Sequence, residues 1–223
     1  MGLAISSTFS VPLLSLSPLS LLSSVVMFYG ARLAAFLLIR EWTVPSKKEA
    51  MDSFDKSPRL KRIPLAISVS VFYAFLTSPL MYAARAGANA TTGILSKIGI
   101  IAAWTGAVIE AVADTQKFII KRGKDKNEQF IGPTNGVYKL CRHPNYFGEV
   151  LYWFGLLLAG IPSFGKNYPA YLYAGLGFYG IVFIMTGATK RLVGKQKERY
   201  GGQEEYEEYV KQVPASIWPW TSS

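Results

Sequence analysis

Charge is spread so unevenly along this chain that its distribution dictates the class of fold. Between residues 3 and 39 the only charged side chain is Arg32, and between 63 and 82 there is none. Residues 94–113 carry Lys97 near their start and Glu110 near their end. Residues 146–188 are interrupted only by Glu149 and by Gly165-Lys166-Asn167. A helix of roughly 20 apolar residues crosses a hydrocarbon core about 30 Å thick. Dividing the last stretch at Lys166 predicts five spans, over about 19–39, 63–82, 94–113, 146–164 and 168–188. The expected fold is all-α: a polytopic helical membrane protein of about five transmembrane helices, closed by an amphipathic C-terminal tail.

The basic residues fall between these stretches. Of 24 Lys and Arg, seven lie in 40–62, seven in 114–145 and six after Ala188; only Arg32, Arg85, Lys97 and Lys166 lie elsewhere. Five crossings put all three rich segments on one side, which the positive-inside rule makes the cytoplasmic or stromal one. The net charge of +10 therefore faces anionic lipid headgroups rather than nucleic acid, each nearby Lys or Arg contributing about 1 kcal/mol. A mean hydropathy of +0.22 excludes a disordered chain. One cysteine, Cys141, excludes an internal disulfide or a thiolate zinc cluster, and with no triad partner it reads as inert packing. Residues 1–18 read as an apolar arm, either a targeting or a re-entrant segment. Eight serines in the first 24 residues, with no charge before Arg32, suit a plastid address better than a signal peptide or a mitochondrial presequence.

Chemistry concentrates around the third and fourth spans. Glu110, Asp114, Lys117 and Lys121 fall at i, i+4, i+7 and i+11, on one face of a helix that continues out of the membrane. That face serves either a ligand or a solvated exit helix with local ion pairs. Pro144 suits the first turn of a new helix, on which Asn145, Glu149 and Trp153 stack beside Gly148. A carboxylate this early in a span is costly unless it is paired, buried in protein or lining a wet cavity. Glu149 therefore either walls a ligand site or sits at headgroup depth near the helix N-terminus. His143, the only histidine, is either a proton donor or a hydrogen-bonding residue at the helix start, and a metal site lacks further ligands.

Asp114-Thr115-Gln116-Lys117, then Gly136-Val137-Tyr138 and Arg142-His143-Pro144-Asn145-Tyr146-Phe147-Gly148-Glu149, resemble the signature of the membrane family related to the C-terminal domain of steroid 5-alpha-reductases. Tyr29-Gly30-Ala31-Arg32-Leu33 resembles the upstream signature of a largely uncharacterised branch. The tail from Glu205 through Tyr206, Tyr209 and Pro214 to Trp220 resembles the family's closing pattern. Sterol reductases and isoprenylcysteine methyltransferases share the Arg-His-Pro-x-Tyr-x-Gly core. The resemblance covers about residues 25–220 and implies a single reductase-like transmembrane domain over 19–223, with its cofactor region at about 110–220. It implies NADPH as cofactor, held by a set drawn from Asp114, Lys117, Lys121, Arg142, His143, Asn145, Tyr146, Glu149, Trp153, Tyr206 and Tyr209. Tyr206 and Tyr209 have an alternative role, anchoring the tail at the interface.

Isoprenylcysteine methyltransferases carry an acidic pair shortly before the tail tyrosines, whereas the comparable stretch here holds Lys190, Arg191 and Lys195. A polyphosphate cofactor suits that charge better than S-adenosylmethionine. The leading expectation is an integral-membrane NADPH-dependent reductase of a carbon–carbon double bond in a steroid, isoprenoid or similar lipid, in the endoplasmic reticulum or a plastid membrane. The alternatives are an S-adenosylmethionine-dependent methyltransferase of an isoprenyl or phospholipid substrate, and a non-catalytic lipid-binding protein. Expected partners are a lipophilic small molecule and membrane lipids, with no nucleic acid. No catalytic acid is assigned, although Tyr29, Tyr73 and Tyr82 are available.

Overall fold

The computed structural model describes residues 17–56, 58–122 and 129–221, and among these it is helical without a strand. Seven α-helices follow in order: α1 (Pro18–Thr43), α2 (Pro45–Asp55), α3 (Arg59–Ala86), α4 (Ile94–Lys121), α5 (Pro144–Gly160), α6 (Tyr168–Tyr200) and α7 (Glu204–Gln212). Helix α1 starts where Ser17 accepts a hydrogen bond from the Ser20 amide onto its side chain and Pro18 presets the first turn. All but the last residues of the apolar arm expected over 1–18 lie outside the described residues.

Four helices, α1, α3, α4 and α6, are long and apolar enough to cross a membrane. The span expected over 146–164, the fourth in order, corresponds to α5, which has 17 residues and measures only about 25 Å at 1.5 Å per residue. Most of it is enclosed: Tyr152, Trp153, Leu156 and Ala159 are buried, while Phe154 is exposed. The outer helices expose apolar side chains instead, Leu65, Ile67 and Val69 on α3 and Phe183 and Ile184 on α6. Such exposed apolar surface is expected of helices solvated by lipid.

Helix direction can be read from the contacts. Gly99 lies against Ala159, Gly106 against Tyr152 and Gly148 against Glu110, so α4 and α5 are antiparallel. Gly177 meets Leu76 and Gly180 meets Phe72, so α3 and α6 are antiparallel as well. Helix α1 runs parallel to α4, from the Trp104 indole donating to the Leu21 carbonyl (3.3 Å) to the edge contact of Phe36 with Phe118. The C-terminal ends of α1, α4 and α6 and the N-terminal ends of α3 and α5 therefore share one end of the bundle. That end carries the described residues of the three basic segments, as the charge pattern predicts.

The α4–α5 seam is the closest helix pair in the bundle. A Cβ added to Gly99 would lie 2.6 Å from the Gly155 carbonyl oxygen, and one on Gly148 would lie 2.7 Å from the Glu110 amide nitrogen. Small residues let membrane helices approach to backbone contact, where dispersion and interhelical hydrogen bonds replace the hydrophobic effect. The buried Ser96 hydroxyl donates across this seam to the Ala159 carbonyl at 2.9 Å. Gly106→Val or Gly155→Val should force the pair apart and cost about 3 kcal/mol or more. Thermal unfolding in detergent should show this as a large fall in midpoint, whereas Gly175→Val, with open space at its Cβ, should change little.

Candidate functional site

Where α1 crosses the α4–α5 pair, charge is buried. Arg32 Nη2 bonds Glu110 Oε1 at 2.7 Å and Arg32 Nη1 bonds Asp114 Oδ2 at 2.8 Å. Glu110 and Asp114 are one helical turn apart, so a single guanidinium fork reaches both. Arg32 also lies over the Tyr29 ring at 5.4 Å. Tyr29 stacks on Tyr152 with centroids 4.0 Å apart and a 7° angle between the rings, and meets Trp153 edge-on. Tyr73 reaches Trp153 from α3. Three tyrosines and an indole thus pack against one another in one interior layer, a chamber of stacked rings and buried ions between α1, α3, α4 and α5.

The chamber's polar atoms are poorly satisfied. Arg32 Nε, Glu110 Oε2, Tyr152 OH, Trp153 Nε1, Asn145 Oδ1 and His143 Nε2 are all buried without a hydrogen-bond partner. The Glu149 carboxyl lies toward Trp153 and the Tyr29 hydroxyl, yet Trp153 Nε1 meets no acceptor in hydrogen-bonding geometry. Each unsatisfied buried group costs about 1–3 kcal/mol. Six such atoms on α1, α4 and the first half of α5, His143 at its start included, call for a polar ligand or water to complete them.

Basic groups gather at the end of the chamber where α4 leaves the bundle. Lys117 is close to Asp114, Lys121, Arg40 and Lys47, and Lys121 is close to Arg199. Arg40 and Arg191 lie within electrostatic reach of Tyr146, whose ring stacks on His143 at 5.8 Å. Donors and acceptors in the interior and cations at the mouth fit a molecule with an amide at one end and phosphates at the other. Asn145, Glu149 and Trp153 could hold such an amide, and Lys117 and Lys121 with the nearby arginines could hold such phosphates. Among the described residues no group of His, Cys, Asp and Glu has metal-site composition.

Other expected site residues have structural partners. Arg142 Nη1 donates to the Val213 and Pro214 carbonyls at 2.9 and 2.8 Å, and the Arg142 and His143 amides donate to Ala215 and Ser216. The tail is thereby strapped across the start of α5. Tyr206 and Tyr209 pack around Phe130, and the Tyr209 hydroxyl donates to the Tyr138 carbonyl at 3.2 Å. Cys141 is fully buried, and burial pushes its thiol up to about 11. A cavity of about 390 Å³ between the 130–134 loop and α7 touches none of the unsatisfied chamber atoms. Tyr152 is the chamber residue that sequence reasoning missed, since a tyrosine inside an apolar run carries no signal of its own.

The chain belongs to the DUF1295 family, described as a protein of unknown function, which matches residues 4–213. That family lies within the steroid 5-alpha-reductase-like superfamily. No curated protein and no solved structure matches the chain.

His143 gives the mouth of the site a pH dependence. Burial, then the charges of Lys117, Arg142 and Lys121, lower its imidazole to about 3, against an ordinary value near 6.5. Below 6.5 the unfolded chain takes up a proton that the folded chain refuses, so stability falls as pH drops toward 3 and is unaffected by this group above 6.5. Between pH 7 and pH 5 the loss should be about 2 kcal/mol. In His143→Asn, acid unfolding followed by tryptophan fluorescence should lack that component.

Proposed function

We propose that this DUF1295-family chain is an integral-membrane, NADPH-dependent reductase of a carbon–carbon double bond in a lipophilic substrate such as a steroid or isoprenoid. The observation that carries the reading is the set of buried, partnerless polar atoms on Asn145, Trp153, Glu110 and Tyr152, continuous with a cationic mouth. Membership of the superfamily supports it. A bound reduced nicotinamide supplies a hydride; the chain's own residues bind, orient and exclude water around it.

Asn145 and Trp153 offer one acceptor and one donor, which would fix the plane of an amide. Glu149, one turn from each, orients the same edge. Lys117 and Lys121 hold negative charge at the mouth, and the strap through Arg142 closes the chamber to solvent. Reduction adds a hydride to one alkene carbon and a proton to the other, so a proton donor must face the substrate. The Tyr29 and Tyr73 hydroxyls and the Glu149 carboxyl are the donors the chamber assembles. Tyr82 is remote from it, packed on Phe164. Apolar rings and exposed helix faces suit a substrate arriving from lipid. With the positive-inside rule, the cationic mouth faces the cytoplasm or stroma, where dinucleotide is dissolved.

Thermal unfolding of the purified protein, titrated separately with NADPH and with S-adenosylmethionine, tests this directly. Saturable stabilisation by NADPH is expected. Asn145→Ala and Glu149→Gln should weaken it about tenfold or more, roughly 1.4 kcal/mol each, with little change in the ligand-free midpoint. Stabilisation by S-adenosylmethionine alone would establish the methyltransferase reading instead, and stabilisation by neither would leave a lipid-binding role.

A further inference from the structure

Away from the chamber, at the opposite end of the bundle, α3 and α6 part company. They touch at Leu76 and Gly177, where an added Cβ would lie 2.8 Å from the Leu76 amide nitrogen. Beyond that point a groove of about 220 Å³ opens between them, walled by Ala74, Phe75, Ser78, Met81, Tyr82 and Tyr173 and ending at Arg85. Phe75 and Tyr173 stack across it, with centroids 5.3 Å apart and rings 9° from parallel. Pro79 lies within α3 and cannot donate to the Phe75 carbonyl, which accepts the Ser78 hydroxyl at 2.8 Å instead. The groove's only potential backbone acceptor of this kind is thereby satisfied, leaving an apolar channel with a cation at its end.

Length and charge identify the occupant. From Ala74 to Arg85 is 11 residues, about 16 Å of helix. That is close to half of a hydrocarbon core about 30 Å thick, or one leaflet. Arg85 lies in the last turn of α3 and is exposed; with Lys97 and Lys166 it is among the few cations outside the basic end and the interior. An amphiphile with one chain in the groove and an anionic head at Arg85 would match both the depth and the charge.

We propose that this groove binds an anionic phospholipid of the leaflet opposite the basic face, its phosphate paired with Arg85 and an acyl chain against Phe75, Met81 and Tyr173. The site is independent of the cofactor chamber and of the reaction performed there. Guanidinium pairs with a phosphate diester through charge-assisted hydrogen bonds, strengthened at the edge of a low-dielectric core. The chain contributes dispersion against the aromatic wall.

The test compares detergent-solubilised wild-type protein, Arg85→Gln, Arg85→Lys and Ala74→Phe, the last filling the groove. Each is unfolded thermally with added dioleoylphosphatidylglycerol, dioleoylphosphatidylcholine or inorganic phosphate. Phosphatidylglycerol should raise the wild-type midpoint more than phosphatidylcholine. That selective gain should fall by at least half in Arg85→Gln and Ala74→Phe and be largely kept in Arg85→Lys. Native mass spectrometry should show one fewer retained phosphatidylglycerol in Arg85→Gln. Undiminished gain in Arg85→Gln would overturn the proposal, because the lipid would then be acting at the basic end. An equal gain from inorganic phosphate would overturn it too, since no chain would be needed. If Ala74→Phe does not fold, the exposed Arg85 variants decide the matter.

Discussion

A single guanidinium organises the interior of this protein. Arg32 sits within a helix that is otherwise uncharged from Pro18 to Ile39, and such a charge is tolerated in a membrane only when it is paired or solvated internally. Its two short bonds to Glu110 and Asp114 fix both the height and the rotation of α1 against α4. Because α4 and α5 meet backbone to backbone at their glycines, that constraint passes on to α5 and places Tyr29 on Tyr152. Removing one partner from a buried ion pair typically costs about 3–5 kcal/mol; here loss of Arg32 would strand two carboxylates and loosen every wall of the chamber.

The chamber itself runs against stability. Its partnerless atoms each carry a desolvation cost, and a core selected only for packing would replace Asn145 or Tyr152 with apolar groups of similar volume. Polar atoms held open inside a rigid, glycine-seamed frame are preorganised for a ligand that supplies the missing bonds. The same frame separates two features: the aromatic chamber at the basic half of the bundle and the α3–α6 groove at the other.

Much of this was legible in the residues. The charge-free stretches locate the four long helices and the shorter α5 to within a few residues at their starts, and the i, i+4, i+7, i+11 spacing from Glu110 to Lys121 is realised on one continuous α4. The basic segments do share one end. The brevity of α5 was not legible, because hydropathy continues through Ile161 and Phe164 while the helix gives way to a 3₁₀ turn at Ile161–Ser163. Nor was the pairing of Arg32 with Glu110, 78 residues away: helical spacing offers Asp114 a lysine neighbour, and only tertiary packing brings the arginine. The sequence allows the tail tyrosines either a cofactor contact or an anchoring role, and in the structure they pack on Phe130. No local pattern separates those roles, since both need two aromatics on one helical face.

The central claim is that the unsatisfied atoms around Asn145, Glu149 and Trp153 are one half of a dinucleotide site. A structure determined by electron cryomicroscopy in lipid nanodiscs with NADPH tests it most directly. The nicotinamide carboxamide should lie within hydrogen-bonding distance of Asn145 and Trp153, with the phosphates among Lys117, Lys121 and the neighbouring arginines. A dinucleotide bound elsewhere, or a chamber filled by lipid while NADPH is saturating, would contradict the account.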